Sequence, residues 1–274
     1  MTTRFESPAS SLELISRPPA ASLRDRVRRY TGYREEARTE RTAREIPSGE
    51  VALVISFGPS LGITDPRTGS KVRHRSFVAG IHDRPVVTES GTFQHGVEVR
   101  LAPLGAYSVL GTSMHEFANR SLALEDVLGD RASGLADRLL DLPTWEARFR
   151  HLDAILLEAV EAGPAPSPSA IWAWRRLDAT SGTLSIATLA GEMGCSRKHL
   201  AEQFTRQVGV TPKALARVLR FKNAADLVRQ RALPLGDVAI RCGYADQAHF
   251  NREFREFAGD APTEFLRNGP PPAL

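Results

Sequence analysis

Residues 242–265, CGYADQAHFNREFREFAGDAPTEF, put a glycine, alternating charges and five aromatic residues (Tyr244, Phe250, Phe254, Phe257, Phe265) into one short stretch. Phe250, Phe254 and Phe257 recur at steps of four and three, so a helix gathers them on one face, and that face must bury. Gln247, Ala248, Asn251, Arg252 and Arg255 fall on the other. Gly243 permits the positive φ of a sharp helix-to-helix turn, and Asp246 is a good N-cap, able to accept the free N–H groups of the first helical turn. The stretch therefore predicts a short helix, a tight turn and a second helix with an apolar back and a polar front. Its aromatic residues read as the core of a very small helical module.

The unit occurs twice. LAGEMGCSRKHLAEQFTRQVGVTPKAL (189–215) lies over residues 238–265, first with Leu189, Ala190, Met193 and Gly194 on Val238, Ala239, Cys242 and Gly243. After one extra residue in the second turn, Ser196, His199, Leu200, Phe204, Gly209 and Pro212 fall on Asp246, His249, Phe250, Phe254, Gly259 and Pro262. In the first copy the polar front is Arg197, Lys198, Ala201, Glu202 and Thr205. Long donors among small residues suit a helix lying in the major groove, where Arg reads guanine and Gln or Asn reads adenine. One such face alone is an ordinary wet surface; two in matched register point to nucleic acid. Between them, PKALARVLRFKNAADLVRQRA (212–232) reads as one long helix with Leu215, Val218, Leu219, Ala224, Leu227 and Val228 on its apolar side. Its roughly 18 helical residues span roughly 27 Å, which approaches the roughly 34 Å between successive major grooves on one DNA face.

At these residues the chain resembles the AraC family of transcriptional regulators. The resemblance rests on GYADQAHFNREFREFAGDAPTEFLR (243–267), on IATLAGEMGCSRKHLAEQFTRQVGVTPKAL (186–215) and on RVLRFKNAADLV (217–228), and covers about residues 170–267. It implies a seven-helix domain of two helix-turn-helix modules joined by a long helix, each placing its second helix in the major groove. Carried over by position, the base readers are Arg197, Lys198, Ala201 and Glu202 in the first module and Gln247, Ala248, Asn251 and Arg252 in the second. Ser196, Arg206 and Arg255 are assigned to DNA phosphates. Glu202 stands where many members carry a basic or amide residue; a carboxylate there can accept from cytosine N4.

Upstream, the sequence changes character at EAGPAPSPSA (161–170), where three prolines alternate with small residues that sustain neither helix nor strand. Before it, VALVISFG (51–58), RSFVAGI (75–81), RPVVTES (84–90) and GVEVRLA (96–102) read as short strands, separated by turns such as GPSLGITDPRTGS (58–70). Such spacing suggests a small antiparallel barrel or sandwich. Helix patterns follow in SLALEDVLG (121–129), RASGLADRLLDL (131–142) and TWEARFRHLDAILLEAVEAG (144–163). In the last, Trp145, Phe149, Leu152, Ile155, Leu156 and Val160 form a stripe that packs on its own domain or pairs two copies. The expected fold is α+β and multidomain. Residues 1–160 form a cupin-like β-barrel with following helices for effector sensing or dimerisation, 161–169 a Pro-rich linker, and 170–274 an all-α DNA-binding domain. IPSGEVALVISFG (46–58), FVAGIHDRPVVTESG (77–91) and GVEVRLAPLGAYSVLG (96–111) resemble a regulator-associated domain of unknown ligand, so no effector-binding residue transfers.

Composition agrees with this division. Residues 1–169 carry 21 Lys and Arg against 22 Asp and Glu, whereas residues 170–274 carry 15 against 10, so the net positive charge sits where a polyanion would bind. No run of about 18 apolar residues and no signal-peptide core is present, and a cytoplasmic protein without membrane partners is expected. The two cysteines, Cys195 and Cys242, are too few for a zinc cluster or disulfide framework. His74, His82, His95, His115 and Glu98 offer metal-type ligands in the barrel, but the compact His-x-His pattern with a following carboxylate is missing, and no metal or cofactor is expected. A DNA-repair alkyl acceptor would need a reactive thiolate in its own electropositive site, whereas both cysteines lie inside the helix-turn-helix units. With no phosphate loop or nucleophile turn, an enzyme is not expected. The expected partners are double-stranded DNA at adjacent major grooves, a small-molecule effector, a second copy of the chain, and RNA polymerase if the protein activates.

Overall fold

The computed structural model describes residues 2–7, 10–231 and 233–268, so residues 269–274 of the expected C-terminal domain lie outside the described residues. Eleven strands come first: β1 (Thr2–Ser7), β2 (Ser10–Arg17), β3 (Val27–Ala37), β4 (Arg41–Glu45), β5 (Val51–Ser56), β6 (Leu61–Thr64), β7 (Lys71–His74), β8 (Phe77–Ala79), β9 (Val86–Ser90), β10 (Phe93–Leu101) and, after α1 (Pro103–Leu110), β11 (Ser121–Ala123). They form a seven-stranded antiparallel sheet of order β1-β2-β3-β10-β5-β8-β11 and a four-stranded one of order β4-β9-β6-β7. No ladder joins the two into a closed barrel among the described residues.

Strand alternation decides what each face does. On β10, Val97, Val99 and Leu101 are fully buried in the interior shared with the helices, while Gln94, Glu98 and Arg100 turn to the opposite face. On β5, Val51, Leu53 and Ile55 join the same interior and Ala52, Val54 and Ser56 face away with them. A cavity of about 170 Å³ is left between the sheets, walled by β5, β8 and β10 on one side and by β4, β6 and β9 on the other.

The four segments read as strands carry β5, β8, β9 and β10. The stretch 58–70, expected as turn, instead holds β6, and the turn is confined to Asp65–Ser70, where Gly69 N–H donates to the Asp65 carbonyl. Its Gly and Ser content looks turn-like, but pairing with β7 and β9 overrides local preference. Similarly, residues 121–123 pair with β8 as β11 before the helix α2 (Leu124–Leu128) begins. The helix expected over 131–142 shortens to α3 (Leu135–Asp141).

The helix α4 (Trp145–Ala162) is capped by Thr144, whose hydroxyl accepts from Ala147 N–H at 3.2 Å. Its apolar stripe packs within its own chain. Trp145 lies over Gly32 of β3, where any Cβ would run into the indole, and Phe149 stacks on Tyr30 at 5.6 Å. Because α4 runs to Ala162 and α5 (Pro168–Ala179) opens at Pro168, the Pro-rich connection is only residues 163–167. That connection is held at both ends: Ser108 Oγ donates to the Pro164 carbonyl at 3.0 Å, and Ser167 N–H donates to Gln207 Oε1 at 2.8 Å.

Six more helices follow among the described residues: α6 (Ile186–Glu192), α7 (Arg197–Val208), α8 (Pro212–Gln230), α9 (Leu235–Arg241), α10 (Gln247–Ala258) and α11 (Pro262–Asn268). Two apolar interiors run through the molecule. One is continuous from the seven-stranded sheet through α1 and α4 to α5, α6, α7 and the start of α8. The other belongs to the rest of α8 with α9, α10 and α11.

Candidate nucleic-acid interface

The two repeated units match element for element. Helices α6 and α9 are both 7 residues long, and α7 and α10 are both 12. The turns open at Gly194 (φ 63°) and Gly243 (φ 73°), in the left-handed region that glycine enters without strain. Ser196 Oγ accepts from His199 N–H at 3.1 Å, and Asp246 Oδ1 from His249 N–H at 2.6 Å, so the expected caps form. Leu200 and Phe204 in α7, and Phe250, Phe254 and Phe257 in α10, are buried against α8 and the preceding helix.

Burying these faces leaves the opposite ones to solvent. Arg197, Lys198 and Glu202 are exposed and Ala201 is half-buried; Gln247, Ala248 and Arg252 are exposed and Asn251 is half-buried. Lys198 Nζ approaches Glu202 Oε1 at 4.0 Å along the helix, with both side chains mostly in water. Asn251 Oδ1 is buried without a hydrogen-bond partner. Arg255 is exposed one turn beyond Asn251. At the far end of α7, Arg206 is exposed, its guanidinium donates to Gln203 Oε1 at 3.3 Å, and its carbonyl accepts from Ser113 Oγ of the sheet domain at 3.3 Å.

The helix α8 has 19 residues and so spans about 28 Å between the modules. It is locked to α10 by a cluster that the sequence reading does not assign. Glu253, almost fully buried beside Phe254, accepts from Arg217 Nε at 2.9 Å and from Arg220 Nη2 at 2.8 Å. Arg217 also donates to Glu256 at 2.6 Å, and the Arg220 guanidinium lies 4.8 Å from the centre of the Tyr244 ring. The signal was a carboxylate on the apolar flank of a helix, facing the two arginines of RVLR.

One short segment of the sheet domain touches both the second module and the long helix that joins the two. Arg44 of β4 donates to Asp260 and to the Ala258 carbonyl at the end of α10. Ile46 packs on the second interior. Gly49 lies against Leu215 and Leu219 of α8, and Lys222 Nζ is 3.7 Å from Glu50 Oε1. The same segment supplies Arg41, Ala43, Glu45 and Glu50 to the cavity wall.

The other candidate chemistries are scattered. His74 contacts the Ser121 carbonyl at 3.2 Å, His95 lies among Phe57, Phe93 and Trp145, and His115 contacts Ser113 Oγ at 2.9 Å. Burial lowers the His82 pKa to about 4. Among the described residues no group of three or more His, Cys, Asp or Glu side chains could hold a metal ion. Cys242 is buried, which pushes its thiol pKa up and away from reactivity.

Residues 189–268 match the family model described as a helix-turn-helix domain, and residues 16–123 match one described as a domain of unknown function (DUF6597). The probable transcription factor PqrA of Proteus vulgaris is 30% identical over 101 residues, which cover 37% of this chain and 82% of PqrA. The chain belongs to the AraC family of transcriptional regulators. This AraC-family chain is also 33% identical over 84 residues to the uncharacterised HTH-type transcriptional regulator YidL of Escherichia coli (strain K12), a match covering 31% of this chain and 28% of YidL. It thus spans less than a third of that relative's length. A solved structure of ToxT from Vibrio cholerae aligns over 84% of this chain and 98% of its own, with a TM-score of 0.48 and 13% identity. No described helix of the AraC-family chain is long and apolar enough to cross a membrane.

Proposed function

We propose that this chain is a sequence-specific DNA-binding regulator of transcription, with α7 and α10 entering adjacent major grooves of double-stranded DNA. The observation that carries this reading is the pair of equal helix-turn-helix units, both with polar fronts in water, joined by one rigid helix of about 28 Å. Arg197, Lys198, Ala201 and Glu202, and Gln247, Ala248, Asn251 and Arg252, read base edges, while Ser196, Arg206 and Arg255 hold phosphates. The cavity between the sheets receives a small-molecule effector, and residues 41–50 carry its presence to the second module and to α8. The chain works in the cytoplasm as a regulator and not as an enzyme; a second copy, and RNA polymerase if it activates, are its protein partners.

The test is selection of fragments bound by the full chain from its own genomic DNA. The expected result is a common site with two half-sites about 10 base pairs apart, bound progressively more weakly as salt rises from about 50 to about 200 mM. Fragments without shared sequence, or binding indifferent to salt, would overturn the reading.

A further inference from the structure

The cavity between the two sheets is not lined as an oily void would be. Its walls are largely apolar, with Leu12, Val54, Ile63, Phe77 and Val86 among them, yet polar groups project into it without partners. Glu98 is 4% exposed and Gln94 7%, and neither Glu98 Oε2 nor Gln94 Nε2 has a hydrogen-bond partner. Buried polar groups left this way cost stability unless something completes them.

The charges around that space are unequal in a useful way. Each guanidinium that lines it is already engaged. Arg100 donates to Glu98 Oε1 at 2.7 Å, Arg41 pairs with Glu35, and Arg75 reaches Asp137 at 3.6 Å. Arg29 also acts on Glu98. Among the carboxylates, Glu50 has Lys222. The carboxylate of Glu45, on the opposing wall, has no hydrogen bond or ion pair with any described residue and lies within the fields of both Arg100 and Glu98. An anion entering here would have to draw Arg100 from Glu98 while sitting beside Glu45. A cation meets one unpaired carboxylate and one free carboxylate oxygen. His82, also in the wall, adds no opposing charge near neutral pH, since burial keeps it neutral.

Resting on the reading of the cavity as an effector site, we infer that its ligand is an organic cation, a protonated amine on an apolar body, held between Glu45 and Glu98. A cavity of about 170 Å³ admits a body about the size of a substituted benzene ring. Glu98 then keeps Arg100 through Oε1 and takes the ammonium through Oε2, while the apolar walls cover the ring.

Three probes with one ring and similar length but different heads separate the possibilities: 2-phenylethylamine, 2-phenylethanol and 3-phenylpropionate. Thermal melting of the full chain, titrated with each, should show a saturable rise in Tm for the amine, an affinity weaker by about tenfold or more for the alcohol, and no rise for the acid. Glu45→Gln should bring the amine to about the alcohol's affinity and leave the alcohol unchanged; Glu45 holds no protein partner, so the fold loses no polar contact. Glu98→Gln should act in the same direction. A tighter acid, equal binding of all three, no shift with any, or an amine indifferent to Glu45→Gln would each overturn the inference. None of these outcomes bears on DNA selection, which tests the regulator reading without any ligand.

Discussion

Arg44 Nη1 donates to Asp260 Oδ2 at 2.6 Å and to the Ala258 carbonyl at 3.3 Å, so a strand that walls the cavity grips the end of α10. Gly259 sits directly beneath the guanidinium, where a Cβ would meet Nη1 at 2.8 Å. Both side chains keep contact with water, and such a pair contributes under about 1 kcal/mol. Arg44→Ala should therefore leave global stability nearly unchanged but speed amide hydrogen exchange at residues 258–265. Unchanged exchange there, measured on the full chain, would show the grip to be idle.

The proposed reading separates base contact from positioning on α10. Arg252 projects from the first turns beside Gln247 and Ala248, whereas Arg255 lies further along. Arg252→Ala is expected to cost about 1 to 3 kcal/mol on the best site and to relax preference at one base pair. Arg255→Ala should weaken all sequences alike. Binding of both variants to a panel of single-base operator substitutions decides it, and a fully retained base preference in Arg252→Ala would refute the docking of α10.

Glu253 holds two arginines from α8 at almost complete burial. Removing its charge leaves both guanidiniums short of their acceptor, so Glu253→Gln should cost about 3 kcal/mol or more. The loss should localise. Hydrogen exchange of α10 amides should rise while that of α7, which lies in the other interior, stays constant.

Phe254 is fully buried and meets Phe221, Phe250 and Phe265 edge-on at 5.2 to 5.5 Å. Truncation to alanine removes the centre of that cluster. We expect Phe254→Ala to destabilise the second module by about 3 to 5 kcal/mol, read as an earlier transition in urea unfolding followed by circular dichroism. A coincident unfolding curve would place the residue outside the core.

Burial of His82 gives a pH dependence with a defined sign. Its pKa is lowered from 6.5 to about 4, so between those values the unfolded chain takes up a proton that the folded chain refuses. Stability from this residue is full above about pH 6.5, falls as pH drops towards 4, and the loss then levels off at up to about 3 kcal/mol. Glu45 and Glu98, whose pKa values are raised by burial, act in the opposite direction in both wild type and variant and cancel in a comparison. His82→Asn should therefore lose less stability than the wild type between pH 6.5 and 4.5 in urea titrations; parallel curves would contradict this.

The helix-turn-helix units are legible in the sequence because their signals are local: a positive-φ glycine, a capping Ser or Asp, and apolar residues at helical steps, all within about thirty residues and written twice. The outward faces follow by elimination from the buried ones. What is not legible depends on distant partners. Strands β2 and β3 carry mixed polar residues, and their assignment rests on the ladders of β3 to β10 and of β2 to β3 rather than on a period of two over one apolar face. The Glu253 cluster joins residues more than thirty apart, and the unpaired carboxylate of Glu45 and the free Oε2 of Glu98 depend on two sheets meeting across a cavity. Proline-rich composition marks the connection at 163–167 but cannot show that the interior continues beneath it.

The two interiors divide the chain at a place that matters for recombination. Leu215 and Leu219 of α8 point into the first, Val218 and Phe221 into the second, so the seam between them runs along the middle of that helix. A chimera spliced at the prolines would join one protein's sheets to another's first module across an interface never fitted to it. A splice within α8, in helical register, would cut almost no packed contacts of the first module and would exchange only α9, α10 and α11 with the end of α8. On the proposed function, variation that retargets half of an operator has its cheapest crossover there.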